Sequence, residues 1–202
     1  MTPPPTPSNP TPNILILGAC GTIGKKLKHA WPHALTVDKK SEADLVFDLA
    51  DLSTAPSPLT PFLNSADVVI HLASTAEPDS PAHIHFESVI HAANLVSACV
   101  AAEVPHLILA SSDWAAPKAP HLRINTYGHS KRVMETMAEM YSHLEGIEAT
   151  AIRIGWVPDE QIDFEKVPNW LLENYWNDQK LIERIHTEIE KHPCRSRPAP
   201  QP

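Results

Sequence analysis

The chain has 202 residues, 43% of them hydrophobic and 20% charged, with a net charge of −8 and a pI near 5.8. A single globular domain is the default at this size. The acidic balance argues against nucleic acid or an anionic membrane as partner, because either would be approached against repulsion. Of the 21 prolines, six fall in Met1–Pro12 and four in Pro193–Pro202. Segments so poor in apolar side chains cannot bury enough surface to offset their ordering entropy, so residues 1–12 and 193–202 are expected to be disordered tails around a folded 13–192. No run approaches the apolar length of a transmembrane helix, and the N-terminus lacks the basic and apolar regions of a signal peptide. Cys20, Cys99 and Cys194 are odd in number and widely spaced, so a reducing, cytoplasmic setting is expected.

The first apolar run, Asn13-Ile-Leu-Ile-Leu-Gly18, is continuous and β-rich, as expected of a strand buried on both faces of a parallel sheet. It leads through Gly18-Ala-Cys-Gly21-Thr-Ile-Gly24 into a helix reaching about Trp31, with Ile23, Leu27, Ala30 and Trp31 on one face and Pro32 as its stop. Strands are predicted at Ala34–Asp38 and Asp44–Asp48, followed by a proline-broken crossing and a strand over Asp67–Ala73. A long Ala-rich helix (Phe86–Ala102), a strand (His106–Ser112), a helix (Asn125–Leu144) and a strand (Ala149–Arg153) complete the series. The alternation predicts an α/β, Rossmann-type fold: right-handed βαβ units in a doubly wound parallel sheet with helices on both faces. Beyond Gly155 it fails, and Pro168–Tyr175 and Trp176–His192 read as helices, the second with an apolar stripe of Leu181, Ile182, Ile185 and Ile189.

Three glycines at three-residue spacing between a buried strand and a helix have a mechanical reason. Gly18 allows the tight turn, Gly21 lets the backbone approach a pyrophosphate, and Gly24 permits close helix-to-strand packing, while the helix N-terminus offers unpaired N–H groups to phosphate. Asp38 ends the next strand, where an acid can bind the adenosine ribose, and Asp48-Leu49 could border the adenine. An acid at position 38 favours NAD, although Lys39 and Lys40 could accept the extra phosphate of NADP.

Tyr127-Gly-His-Ser-Lys131 places a tyrosine and a lysine one helical turn apart. An ammonium and a cationic nicotinamide beside the phenol would lower its pKa, so that Tyr127 could take a proton from a substrate alcohol, with Lys131 also reaching the nicotinamide ribose. Ser111-Ser112 ends a strand at the carboxyl edge of the sheet, where ligands of such folds bind. One of the two hydroxyls can hold the substrate oxygen; Ser112 is preferred, with Ser111 as the alternative.

Taken in order, GACGTIG, Asp38, Asp48-Leu49, His71-Leu-Ala, Leu109-Ala-Ser-Ser112, Tyr127-x-x-x-Lys131 and Arg153-Ile-Gly155 resemble the extended short-chain dehydrogenase/reductases, the NAD-dependent epimerase/dehydratase family. ASSDW, TYGHSKRVMETMAEMY and AIRIG are most similar to its sugar and uronate dehydrogenases. The resemblance implies Ser112, Tyr127 and Lys131 as the catalytic set. It implies Gly18, Gly21, Thr22, Ile23, Gly24, Asp38, Asp48, Leu49, Leu72, Ala73, Tyr127 and Lys131 as the cofactor contacts, and a sugar-like or small alcohol as substrate. An epimerase or dehydratase using NAD transiently, or a nucleotide-binding regulatory protein without turnover, are the alternatives.

The departures from that pattern lie on the substrate side. Trp156 and, counting without gaps, Glu165 stand where the uronate enzymes carry a serine and an arginine, so Glu165 is expected to repel a substrate carboxylate. Asp113 replaces an asparagine, the Asp113–Thr126 loop is short, and Ser88 and His91 stand where the family tends to have Asn and Gly. By the same resemblance, the substrate-binding C-terminal part is expected to be reduced or truncated. His83, His85 and His91 lack a further ligand, so no metal is expected. His129 should be exposed, and Cys20 should be a packing residue. Met134, Met137 and Met140, with Val133, Tyr141 and Leu144, should form a core or a homodimer face.

Overall fold

The computed structural model describes residues 11–52, 57–118, 123–144, 147–159 and 162–191. Most of the two proline-rich segments, and Gly146, therefore lie outside the described residues. Six strands, β1 (Ile14–Leu17), β2 (Leu35–Asp38), β3 (Leu45–Val46), β4 (Val68–His71), β5 (His106–Ser112) and β6 (Glu148–Ile154), form one sheet in the order β3-β2-β1-β4-β5-β6. Every pairing is parallel; Leu15, for instance, pairs with Leu35 on one side and Val69 on the other. The chain leaves β1 in one direction for β2 and β3, then returns to β4 on β1's other side. The turns after β1 and β4 diverge, which opens a crevice at the carboxyl edge.

Period-2 alternation sorts the core by face. Leu15, Leu17, Val69, Leu107 and Leu109 point to one side and pack with residues of α2 (Thr60–Ser65), α3 (Ala82–Ala101) and α4 (Thr126–Ser142). Ile14, Ile16, Val68, Ile70, Ile108 and Ile152 point to the other. There α1 (Thr22–Ala30) and α6 (Asp178–Lys191) cover them through Leu27, Leu181, Ile185 and Ile189.

Two helices differ from expectation. Helix α3 begins at Ala82, after Pro81 and four residues before Phe86, because proline fixes the entry dihedral of a first turn that has no apolar stripe to announce it. At 20 residues and a mean hydropathy of 1.3 in its most apolar window, α3 also meets the length and composition of a membrane span, contrary to the sequence reading. In the fold its Ala92, Leu95 and Cys99 are buried against the sheet side. Helix α5 is only Asn169–Leu172. The chain after it is drawn into a parallel bridge between Trp156 and Tyr175, with Trp156 N–H donating to Asn174 and Trp176 N–H donating to Trp156.

Helix α6 is fastened by polar contacts as well as by its stripe. Glu188, with a side chain 4% exposed, accepts from Thr150 of β6 at 2.8 Å, from Arg184 at 2.6 Å and from Lys191 at 3.2 Å. Burial alone would raise the pKa of this carboxyl, but the three hydrogen bonds outweigh it and hold it down to about 2. Lys26 of α1 pairs with Asp178 at 2.8 Å, and Trp31 stacks on His186.

Candidate active site

The glycine turn lies at the mouth of the crevice. Gly18 has φ +82°, a left-handed conformation that side chains rarely adopt, and a Cβ there would come within 2.6 Å of the Ala73 backbone nitrogen. At Gly24 a Cβ would strike the Gly18 carbonyl oxygen and lie 2.5 Å from Ala19 Cα. The turn is thus pressed on one side against the exit of β4 and on the other against the first turn of α1. No side chain caps α1, whose N-cap is Gly21. The helix therefore presents first-turn N–H groups where Gly18, Gly21, Thr22, Ile23 and Gly24 line a cavity of about 680 Å³. A phosphate has both the room and the donors it needs there.

Leu72 lines the same cavity, and Ala73 packs on Gly18. Asp38 lies outside the cavity lining, with its carboxylate accepting the N–H groups of Cys20 at 2.9 Å and Lys40 at 3.2 Å. That ties the end of β2 to the glycine turn. Asp48 caps a 3-10 turn at Leu49–Asp51 by accepting from Ala50, and Leu49 is buried in the core; neither lines the cavity. Cys20 is buried, and desolvation followed by the Asp38 charge raises its thiol pKa, the reverse of activation.

At the other end of the cavity α4 starts on Asn125, whose side chain accepts from Gly128 N–H at 2.9 Å and donates to the Pro78 carbonyl at 3.0 Å. This cap fixes the first turn, which carries Tyr127. Tyr127, Lys131 and Ser112 are all buried, and all line the cavity. The Ser112 hydroxyl accepts from Trp114 N–H at 3.3 Å and, on the same cavity wall, favours the ionised form of Tyr127. The Lys131 ammonium stands 5.3 Å from the Tyr127 ring centre.

Both ionisable groups are displaced by burial. Desolvation raises the Tyr127 pKa above its ordinary value, with the Ser112 hydroxyl opposing and the Glu77 charge adding to the rise. Burial pushes Lys131 down to about 8. The lowering expected from Lys131 together with a cationic nicotinamide belongs to the loaded site; in the chain alone, desolvation disfavours both the phenolate and the ammonium. Ser111 is committed elsewhere. Its hydroxyl donates to Glu135 of α4 at 2.6 Å, and Arg153 of β6 binds the same carboxylate through two nitrogens at 2.6 and 2.8 Å.

Two buried histidines of this site were not assigned to it from sequence. His85 of α3 is buried with its ring 5.6 Å from that of Tyr127, and among the described residues neither ring nitrogen has a hydrogen-bond partner. His71, at the end of β4, is equally unpartnered, and burial and then the Lys131 charge push its pKa down to about 3. Trp114, Trp156 and Trp170 line the outer cavity together with the carboxylates of Glu77, Asp79, Asp113 and Asp159, against which, among the described residues of the lining, Lys118 and Lys131 carry positive charge. Glu165 is not part of that wall. It sits exposed on a 3-10 turn at Phe164–Lys166, outside the cavity lining, so the expected repulsion of a substrate carboxylate does not come from it. His129 is exposed, and Ser88 is spent on the Ile84 carbonyl of its own helix.

The sequence profile of the NAD dependent epimerase/dehydratase family matches residues 14–158. The L-arabinose 1-dehydrogenase (NAD(P)(+)) of Haloferax volcanii is 25% identical over 173 aligned residues, covering 71% of this chain and 66% of that one. Among solved structures, a UDP-galactose 4-epimerase superposes with a TM-score of 0.60 at 24% identity, covering 72% of this chain and 56% of the other. A mutated uronate dehydrogenase superposes with a TM-score of 0.71 at 20% identity, covering 91% and 72%. The chain thus spans just under two thirds of the arabinose dehydrogenase and little over half of the epimerase. With most of its length matched by the family profile, the chain belongs to the NAD dependent epimerase/dehydratase family.

Proposed function

We propose that this chain is an NAD-dependent oxidoreductase, with NADP as the alternative cofactor, acting on a sugar-like alcohol through Ser112, Tyr127 and Lys131. The observation that carries this reading is the convergence of those three side chains on one cavity that continues into the uncapped N-terminus of α1. Gly18, Gly21, Thr22, Ile23 and Gly24 would hold the pyrophosphate, Asp38 the adenosine ribose, and Leu72 with Ala73 the wall beneath. Bound NAD supplies the acceptor for the hydrogen leaving the substrate carbon, and its positive charge in a buried site favours the phenolate.

The chain's own residues handle the proton. Ser112 donates to or accepts from the substrate oxygen and fixes it beside Tyr127. Tyr127 takes the alcohol proton, and Lys131 stabilises the phenolate by its charge. The tryptophans offer flat apolar faces for the C–H face of a sugar. The surrounding carboxylates accept its hydroxyls and disfavour anions, which supports an uncharged aldose over a uronate or sugar phosphate. The arabinose dehydrogenase relative supports the same direction.

A homodimer is proposed through α3 and α4, which pack together and leave Phe86, Ile90, Val133 and Met140 exposed. The free Cys20 and Cys99 support a cytoplasmic setting. Net charge −8 supports partners other than nucleic acid or membrane. The test is titration with NAD and NADP followed by a screen of neutral aldoses, uronates and simple secondary alcohols for cofactor reduction. Turnover on an aldose supports the reading. Cofactor binding without turnover on any of them would leave a nucleotide-binding protein.

A further inference from the structure

Lys131 is 4% exposed, and among the described residues no carboxylate lies within salt-bridge distance of its ammonium. A buried ammonium without a counter-ion depends on hydrogen-bond acceptors to remain charged. Two are present. The Ser74 hydroxyl accepts at 2.7 Å, and the Ala110 carbonyl of β5 accepts at 3.3 Å. Ser74 is the shorter contact and, among the described residues, the sole side-chain acceptor of this ammonium, reached across 57 residues of chain.

The place of Ser74 is fixed by backbone. Its N–H donates to the Leu72 carbonyl at 2.7 Å, and the preceding Ala73 is packed against Gly18 so closely that no Cβ fits between them. The hydroxyl therefore sits at a set height over the end of β4, on the cavity wall. Around the ammonium, α4 contributes the Tyr127 ring, β4 contributes His71, held neutral by burial and by Lys131 itself, and α3 contributes His85 behind the phenol. Glu135, one turn along α4, is engaged by Arg153 and Ser111. None of these groups offers Lys131 a negative charge.

We propose that Ser74 is a positioning residue of the Tyr127–Lys131 pair, its hydroxyl serving in place of a counter-ion to hold the buried ammonium beside the phenol ring. This rests on the reading of Tyr127 and Lys131 as the reacting pair. Lys131 carries three N–H donors; Ser74 and Ala110 take two, which leaves the third for the cofactor side of the cavity. Loss of the hydroxyl removes an acceptor from a charged group in a desolvated site, and the lysine then gives up its proton at lower pH. The alkaline limit of activity falls with it.

The test follows the Lys131 side chain directly in protein labelled with 13Cε-lysine, its signal assigned by its loss in Lys131→Arg. The wild type should titrate near 8. Ser74→Ala should titrate about one pH unit lower, and Ser74→Thr should return toward the wild-type midpoint. If Ser74→Ala does not fold, Ser74→Cys, nearly isosteric with a weaker acceptor, should give a smaller shift in the same direction. An unchanged midpoint in Ser74→Ala or Ser74→Cys overturns the proposal. The kcat profile of the same variants should lose its alkaline limb by the same interval while KM changes little. A shifted lysine titration in a protein that turns over no alcohol would leave the role of Ser74 standing and sink the functional reading. Turnover with an unshifted lysine would do the reverse.

Discussion

The Ser111 hydroxyl donates to Glu135 of α4 at 2.6 Å, whereas its neighbour Ser112 turns to the opposite side of β5, toward the cavity that Tyr127 also lines. Strand alternation thus separates two adjacent hydroxyls into one facing the cavity chemistry and one that fastens β5 to α4. The Glu135 carboxylate, held below its usual pKa by Arg153, joins β5, α4 and β6 in one polar knot. Ser112→Ala is expected to lower kcat by about tenfold or more with folding intact. Ser111→Ala should leave kcat within a few-fold and lower thermal stability by about 1 kcal/mol. Steady-state kinetics and thermal melts of the two variants separate these outcomes.

Glu188 makes stability depend on acid pH. Its carboxyl is at about 2 in the folded chain against about 4.3 when unfolded. The contribution is fully present above the unfolded value and is lost as pH falls through the folded one. Between pH ~4.5 and ~2 the wild type should therefore lose roughly 2 kcal/mol that Glu188→Gln does not. Denaturant titrations at pH 7 and in that window measure the difference, and parallel curves for the two proteins would contradict it.

At Gly24 the neighbouring atoms are backbone, which cannot move aside as a side-chain tip would. Gly24→Ala should destabilise the chain by about 1–3 kcal/mol and weaken NAD binding by displacing the phosphate turn. Chemical denaturation and calorimetric titration of that variant check both effects.

The exposed apolar residues of α3 and α4 predict a particle of twice the 22.3 kDa chain mass. Phe86→Glu combined with Met140→Glu should yield a monomer with an unchanged circular dichroism spectrum. Sedimentation velocity distinguishes the two species, and a wild type that sediments as a monomer at all concentrations would remove the dimer.

Much of the fold was legible because its strands are buried on both sides. Such runs as Ile14–Leu17 and His106–Ser112 carry their identity in local composition, and the second was placed to the residue. The Tyr127–Lys131 pair was legible too, since a helical turn converts spacing into proximity. What escaped depended on contacts distant in sequence: Lys131 with Ser74 and Arg153 with Glu135 are defined only once β4, β5, β6 and α4 have docked. The upward shift of Tyr127 in the chain without cofactor lay outside the sequence for a related reason. A sequence supplies the neighbouring charge, but the depth of burial that outweighs it belongs to the assembled site. The dual nature of the methionine helix also needed packing, which buries Met134 and Tyr141, with the Tyr141 hydroxyl on the Val104 carbonyl, and leaves Met140 outside.

The central claim is that Tyr127 performs proton transfer in a site that holds NAD. Its most direct measurement is cofactor reduction by a neutral aldose, wild type against Tyr127→Phe, with NAD affinity determined for both. The account predicts NAD binding preserved within a few-fold and turnover reduced by about 10²-fold or more in the variant. Equal turnover in the two proteins, or NAD binding with no aldose oxidised by the wild type, would contradict it.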